Sequence, residues 1–440
     1  MGNAECVQRM NLLGKCPIPA AAWTVFRDAA ARSDGYRRHL AGRGVDASSV
    51  GDWEAIPPTS KAAVFGSPWE WAAADPGAAA EIVCSSGQSG PPFSVGLVSP
   101  GERDALAART DGLLAALGAG PGSSTLLVNV LPMGVAAPCT LATVATPSVH
   151  LEMARHVLGE IAPRFDRLVL LGEPLFLAEL ARGWRARGPA HPDMWVFTGG
   201  EPVAASWKAY ACGLLGIEPY RVAVSMGCAE IGLHLLFETP SLGAARAALA
   251  AGPGPGWARA AGPGVVPALL GYDPERLLVE TPRRAGAGRL TLTPLHAALI
   301  PLVRYETGDL AHHLTDADVD DLAELTGVAL DGPVVALFGR GGTPGGVPRP
   351  EAVKEALFSD AGLADQVTGR FRLEPAADGA PLTLHVQCRH DAPPAARHAD
   401  TLRAVVAGVA GEPVDVRWHA AAEYPFHAPD DWTHKPRYTR

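Results

Sequence analysis

The 440-residue chain is poor in charge and has no cysteine pairing pattern. Charged residues make up 19% of it, and 37 basic against 46 acidic side chains leave a net charge of -9, so there is no basic footprint for nucleic acid or an anionic membrane surface. The seven cysteines, Cys6, Cys16, Cys84, Cys139, Cys212, Cys228 and Cys388, are scattered singly and odd in number. None stands in a CxxC pair of the kind zinc ribbons and dithiol redox sites need, and the pattern suits a reducing cytoplasm. Long apolar runs are missing as well. The most apolar stretch, Thr125 to Ala145, is interrupted by Asn129, Pro132 and Pro138, short of the roughly 20 uninterrupted residues of a membrane helix. The opening MGNAECVQRMNLLGKC shows no basic segment leading into an apolar one, and Cys6 stands where a myristoylation signal has Ser or Thr. No GK[ST] follows a glycine-rich loop, which excludes a Walker A site, and no G-x-S-x-G elbow presents a serine nucleophile. His312, His313, His390, His419, His427 and His434 lack metal-ligand spacing. A soluble protein acting on small molecules is the reading that remains.

What is present is enough apolar residue, 48%, for one large core and a smaller one in two or three domains. Short β-branched or apolar runs at Ser124–Val130, Arg167–Leu171, Met194–Thr198 and Tyr220–Ser225 read as buried strands. Between them, Leu106, Leu113, Leu114 and Leu117, and again Leu175, Leu177 and Leu180, have helical spacing. The alternation predicts a layered α/β core with parallel pairing. From Leu277 the run LLVETPRRAGAGRLTLTP predicts two antiparallel strands. Near Arg340 the composition turns to GRGGTPGGVPRP, which sustains neither helix nor strand and suits a hinge. The boundary therefore falls between residues 1–338 and 339–440. The second part is predicted to be a small α+β lid: a helix over PEAVKEALFSD, strands over GRFRLEP and LTLHVQC, a helix over Thr401–Ala407 ending at Gly408, and a last strand VDVRW.

Six segments carry chemistry. Cys84 to Pro92 reads CSSGQSGPP, a loop of Gly and hydroxyls between two apolar runs, able to wrap phosphate oxygens with N–H and O–H donors. Gly199-Gly200-Glu201-Pro202 follows the run MWVFT, and Met226-Gly227-Cys228-Ala229-Glu230 follows another apolar run. PLVRYETGDL spans Pro301 to Leu310, Gly339-Arg340 opens the hinge, and Lys435 lies in the terminal THKPRYTR.

Taken together and in this order, these segments resemble the adenylate-forming superfamily of acyl-CoA ligases, in its phenylacetate-CoA ligase-like branch. There the loop reads SSGTTGxP, the second turn GGEP or GAEP, the third element YGxTE or YGLSE, and the fourth PLIRYRTGDL. A GR pair opens the hinge and a lysine stands near the C-terminus. RDAAARSDGYRRHL and IPPTSKAAV are similar to the branch's opening helix and its lP-x-T-x-K segment. The resemblance covers most of residues 20–440 and implies a large layered adenylation domain with a mobile α+β lid.

It also implies ATP, Mg²⁺ and CoA as cofactors, a small aryl or acyl carboxylic acid as substrate, and a homodimer as a plausible assembly. Ser85, Ser86, Gly87, Gln88, Ser89 and Gly90 would hold phosphates, Gly200, Glu201 and Pro202 the adenine, and Met226, Gly227 and Cys228 the nucleotide. Asp309 would take the two ribose hydroxyls on its two acceptor oxygens, and Glu230 would hold Mg²⁺, a hard cation that prefers carboxylate oxygen. Arg340 would be a fixed cation at ribose or phosphate, and Lys435 would neutralise charge building on the α-phosphate as the lid closes. Linings for the acid are sought in Val128–Cys139 and Gly199–Glu201. The sequence departs from the family at Gln88 and Ser89, at Pro91 in place of a lysine, at Met226 in place of the adenine-stacking tyrosine, at Ala229 in place of a hydroxyl, and across the hinge. Two alternatives stay open: transfer of the acyl group to an amine or a carrier-protein thiol, and a non-catalytic nucleotide-binding relative.

Overall fold

The computed structural model describes residues 18–85, 94–185, 191–228, 231–252, 254–260, 262–281, 287–341, 347–375, 381–391, 393–428 and 431–439. The four parallel strands predicted from the sequence are there, with an unpredicted edge strand, Thr143–Ala145, beyond them. Thr143–Ala145, Thr125–Val130, Arg167–Gly172, Met194–Thr198 and Val222–Cys228 lie side by side and parallel. The sheet then turns antiparallel through Gly232–Phe237, Ala268–Gly271, Val334–Arg340, Tyr305–His313, Gly288–Pro294 and Leu277–Glu280. The short strand Thr59–Ser60 pairs in parallel with the start of Tyr305–His313.

All six residues of Thr125–Val130 are buried, because both faces of this strand are covered. Leu126 and Val128 pack with Trp207 and Phe176, on the side of helices Pro174–Arg185 and Ala205–Leu215. Leu127 points the other way, toward Leu114 of helix Pro100–Ala116. That helix starts on Pro100 behind a capping box in which Ser99 and Glu102 satisfy each other's backbone N–H groups. The run LLVETPRRAGAGRLTLTP forms the antiparallel pair Leu277–Glu280 and Gly288–Pro294; residues 282–286 lie outside the described residues.

The C-terminal part carries its own three-stranded sheet, Val367–Glu374, Leu382–Cys388 and Val414–His419, flanked by helices Pro350–Phe358 and Ala396–Ala410. The predicted end at Gly408 is wrong. The helix starts earlier and runs on to a left-handed cap at Gly411 with φ 72°. An interior glycine costs only about 1 kcal/mol in a helix, and the burial of Val406 and packing of Val409 favour continuing. The two lobes share buried apolar surface, since Leu357, Phe358 and Phe371 belong to the same cluster as Leu168, Leu175 and Trp207. The junction also holds a polar cleft of about 300 Å³ lined by Glu179, Asp365 and Arg389 among others; Arg389 Nη2 donates to Glu179 over 3.2 Å, and Asp365 accepts the Tyr210 hydroxyl over 2.6 Å. Among the described residues no helix is long and apolar enough to cross a membrane.

Candidate active site

The segment Pro301 to Leu310 is held rigidly from below. Arg304, at φ 50°, donates Nη1 to the carbonyls of Trp53 and Glu54 over 3.3 and 3.1 Å and sets Nε 3.2 Å from Glu280. The Thr59 hydroxyl donates to the Val303 carbonyl at 3.1 Å. This arginine fastens the strand to the N-terminal region. Five residues on, Asp309 lies opposite Arg340 in the strand register. Arg340 Nε is 3.3 Å from Asp309 Oδ1, and its Nη1 donates to the Thr307 carbonyl at 2.7 Å. The Asp309 side chain is 9% exposed and that of Arg340 57%, so a buried acid is covered by a cation that faces solvent.

Gly308 and Gly339 make this arrangement fit. Gly339 has φ 94°, and a side chain there would overlap the Glu351 carboxylate; Gly308, at φ 85°, lies under the Arg340 guanidinium. Glu351 accepts the Arg340 backbone N–H at 3.2 Å. Burial pushes its carboxyl upward, with Arg349 and Lys354 opposing.

One helix links this pair to the turn Gly199–Pro202. On Pro350–Phe358, Glu351 faces Arg340, and one turn on, Lys354 donates to Glu201 Oε2 at 2.8 Å and to the Pro202 carbonyl at 3.0 Å. Glu355 accepts the N–H groups of Ala205 and Ser206 at 2.7 and 2.9 Å. It thereby caps helix Ala205–Leu215, whose own N-cap residue Ala204 contributes no side-chain bond. The Glu201 carboxylate also accepts the Tyr438 hydroxyl at 2.7 Å, so the carboxylate faces the C-terminal lobe.

Lys435 arrives from that lobe. Its tail is anchored by Arg370, which donates to the carbonyls of Ala428 and Asp431 at 3.1 and 2.6 Å and lies 4.3 Å over the Trp432 ring. Leu373 N donates to the Tyr438 carbonyl at 2.7 Å. Between these anchors Lys435 Nζ donates to the Gly200 carbonyl and sits 3.7 Å from Glu173 Oε1. Burial pushes the Glu173 carboxyl up to about 7, offset in part by Lys435 and reinforced by Glu201.

Met226, Gly227 and Cys228 end the strand Val222–Cys228. Gly227 lies so close to the backbone of Gly232 and Leu233 that a Cβ would clash. Beside them is a pair that sequence reading missed. Ser225 Oγ and His234 Nδ1 are 2.8 Å apart, both residues buried, with the His234 ring edge-on to Phe197. Burial and Arg109 drive His234 down to about 4. Phe197 belongs to the apolar cluster of Leu131 and Ala137, with Val135 and Cys139 against it. The stretch sought as an acid lining therefore reaches this place. No spacing rule pairs a Ser with a His nine residues on across a strand bend; only the fold shows it.

Ser85 ends the strand Glu81–Ser85. Ser86, Gly87, Gln88, Ser89, Gly90, Pro91, Ala229 and Glu230 lie outside the described residues, and with them the candidate phosphate loop and the candidate Mg²⁺ ligand. Of the histidines weighed for metal, His312 bonds Asp318 at 3.0 Å, His313 the Tyr272 hydroxyl at 2.8 Å, and His419 its neighbour His385 at 2.9 Å. Among the described residues no group of three or more His, Cys, Asp or Glu side chains is placed to hold a metal ion.

No family model and no curated protein matches the chain. Solved structures do. The chain is similar to 2-hydroxyisobutyryl-CoA ligase in the postadenylation state with R3-HIB-AMP, at 16% identity and TM-score 0.68, covering 96% of this chain and 88% of that one. The same enzyme with 2-HIB-AMP and CoA in the thioesterification state gives 16% identity and TM-score 0.56 over the same shares. The amide bond synthetase McbA from Marinactinospora thermotolerans gives 17% identity and TM-score 0.50, covering 78% of this chain and 66% of that one. The fold is thus the two-lobed α/β fold of adenylate-forming ligases.

Proposed function

We propose that this chain is an ATP-dependent carboxylic acid ligase, which forms an acyl-AMP and passes the acyl group to a thiol, with CoA as the acceptor. The single observation that carries the reading is Lys435, brought from the far end of the chain onto the Gly199–Pro202 turn while Asp309 and Arg340 stand at the lobe junction. A relative that had kept only the fold has no need of all three. The two-lobed fold and the greater similarity to the postadenylation state support it.

In this reading the acid's carboxylate attacks the α-phosphorus in line and pyrophosphate leaves, so catalysis is positioning and charge stabilisation and needs no side-chain nucleophile. Asp309 offers two acceptor oxygens to the ribose hydroxyls and Arg340 a planar cationic fork. The backbone of Gly199 to Pro202 borders the base. Lys435 exchanges the Gly200 carbonyl for the oxygens of the reacting phosphate. Glu230 would hold Mg²⁺, a hard cation that would supply charge neutralisation at the phosphates. The region beyond Arg340 is the lid, and its rotation opens the acyl-AMP to the acceptor.

A second acceptor class has its own support. The hinge segment GRGGTPGGVPRP has no acidic residue, and an amide bond synthetase shares the fold, so transfer to an amine or a carrier-protein thiol is the runner-up. The test is pyrophosphate release from ATP across a panel of aryl and aliphatic acids, alone, with CoA and with amines. Release tied to one acid supports adenylation, and the acceptor that raises turnover is the second substrate. Silence across the panel with ATP binding intact removes the ligase reading.

A further inference from the structure

We infer that Glu173 is the positioning residue for Lys435, a buried carboxylate of the large lobe that receives the lysine ammonium when the lid is closed. This rests on the ligase reading above. Glu173 directly follows the strand Arg167–Gly172, at the carboxyl end of a parallel sheet where ligands of open α/β folds bind. Its carboxylate and Cγ lie against Gly200, where φ is 89° and an added Cβ would come to 2.8 Å from Oε1. The same carboxylate sits 3.7 Å from Lys435 Nζ, which donates to the Gly200 carbonyl. One acid therefore touches both the turn and the lysine that visits it.

The neighbouring acid does a different job. Glu201 Oε2 already accepts both Lys354 Nζ and the Tyr438 hydroxyl, and its side chain is 8% exposed. Lys354 in turn lies 4.4 Å over the Tyr438 ring. Glu201 fastens the lobes together, and Glu173 aims the lysine. Side-chain exposures of 12% for Glu173 and 25% for Lys435 leave the pair partly open to solvent, as a group that must release its lysine to a phosphate requires. The groups facing Glu173 are Lys435 and Tyr438 from the tail, Lys354 from helix Pro350–Phe358 and Glu201 from the turn. With Glu173 titrating near 7, its grip on the lysine tightens as pH rises through that value.

The experiment compares wild type, Glu173→Gln, Glu173→Asp and Glu355→Ala. It measures acid-dependent pyrophosphate release across pH and, without substrate, amide hydrogen exchange along residues 433–439. Glu173→Gln should lower kcat by roughly 10- to 100-fold with little change in KM for ATP, remove the activity limb near pH 7, and speed exchange in the tail. Glu173→Asp should recover part of kcat and keep a pH limb. Glu355→Ala, which uncaps helix Ala205–Leu215 without touching Lys435, should leave both the pH limb and exchange in the tail as in wild type. If Glu173→Gln keeps both the limb and wild-type tail exchange, or if Glu355→Ala reproduces its whole effect, Glu173 has no positioning role. If wild type releases no pyrophosphate with any acid while Glu173→Gln still frees the tail, the contact stands and the ligase reading falls.

Discussion

Arg340 covers the carboxylate of Asp309 from the next antiparallel strand, its Nε 3.3 Å from Oδ1. The acid is the buried partner and the cation the exposed one, so the two respond differently to mutation. If Asp309 takes the ribose hydroxyls as proposed, Asp309→Ala removes both acceptor oxygens and should raise KM for ATP by roughly 100-fold, two charge-assisted hydrogen bonds at about 1.5 kcal/mol each, with a smaller effect on kcat. Steady-state kinetics in ATP checks this; an unchanged KM removes Asp309 from the nucleotide site.

Lys435 contributes to no apolar core cluster, so Lys435→Ala should leave the unfolding midpoint near that of wild type. Adenylation should fall by roughly 100- to 1000-fold, the scale of losing one group that stabilises charge in a transition state. Thermal melting beside pyrophosphate release separates the two effects. A variant that adenylates normally shows that the lysine's place on the Gly200 carbonyl is incidental.

Helix Ala205–Leu215 carries a buried ion pair, Lys208 Nζ to Glu238 Oε2 at 2.7 Å, with the Glu238 side chain 1% exposed and its Oε2 also accepting Val224 N at 3.2 Å. Lys208→Met strands that carboxylate and should cost about 3–5 kcal/mol. Adding Glu238→Gln should restore much of the loss, because no buried charge is then left alone. Urea denaturation of the single and double variants reads both; equal stability of the two would contradict a buried charge as the cause.

His234 titrates near 4 in the fold and near 6.5 when unfolded. Between these values the unfolded chain binds more protons, so stability is present above pH 6.5 and drains away as the pH falls toward 4, by up to about 3 kcal/mol. Glu173, whose folded value of about 7 lies above its unfolded one, works in the opposite direction. The difference between wild type and His234→Gln at each pH isolates the histidine. A difference that stays flat from neutral pH down to about 4.5 would show that His234 is already solvated.

The parts of this architecture that obey local rules are readable in the chain. Fully apolar runs such as LLVNV are strands buried on both faces, and PLVRYETGDL places Asp309 because Gly308 permits φ 85° just before it. The helix over Pro350 is legible from its proline and its apolar period. What could not be read joins residues far apart. Glu173 meets Lys435, and Glu201 meets Tyr438, across more than half the chain; Glu173 stands in no motif, and the motif of Glu201 gives no sign of its tyrosine partner. Gly408 misled for the opposite reason: it looks like a helix stop, yet the valines around it hold the helix together as far as Gly411.

The most direct measurement is the fate of oxygen from a carboxylic acid substrate labelled with heavy oxygen in its carboxyl group. Attack of the carboxylate on the α-phosphorus leaves one labelled oxygen in AMP once the acyl group has been transferred, and mass spectrometry of the AMP should find it. Unlabelled AMP, or label in inorganic phosphate with ADP as the nucleotide product, would contradict acyl adenylation by this chain.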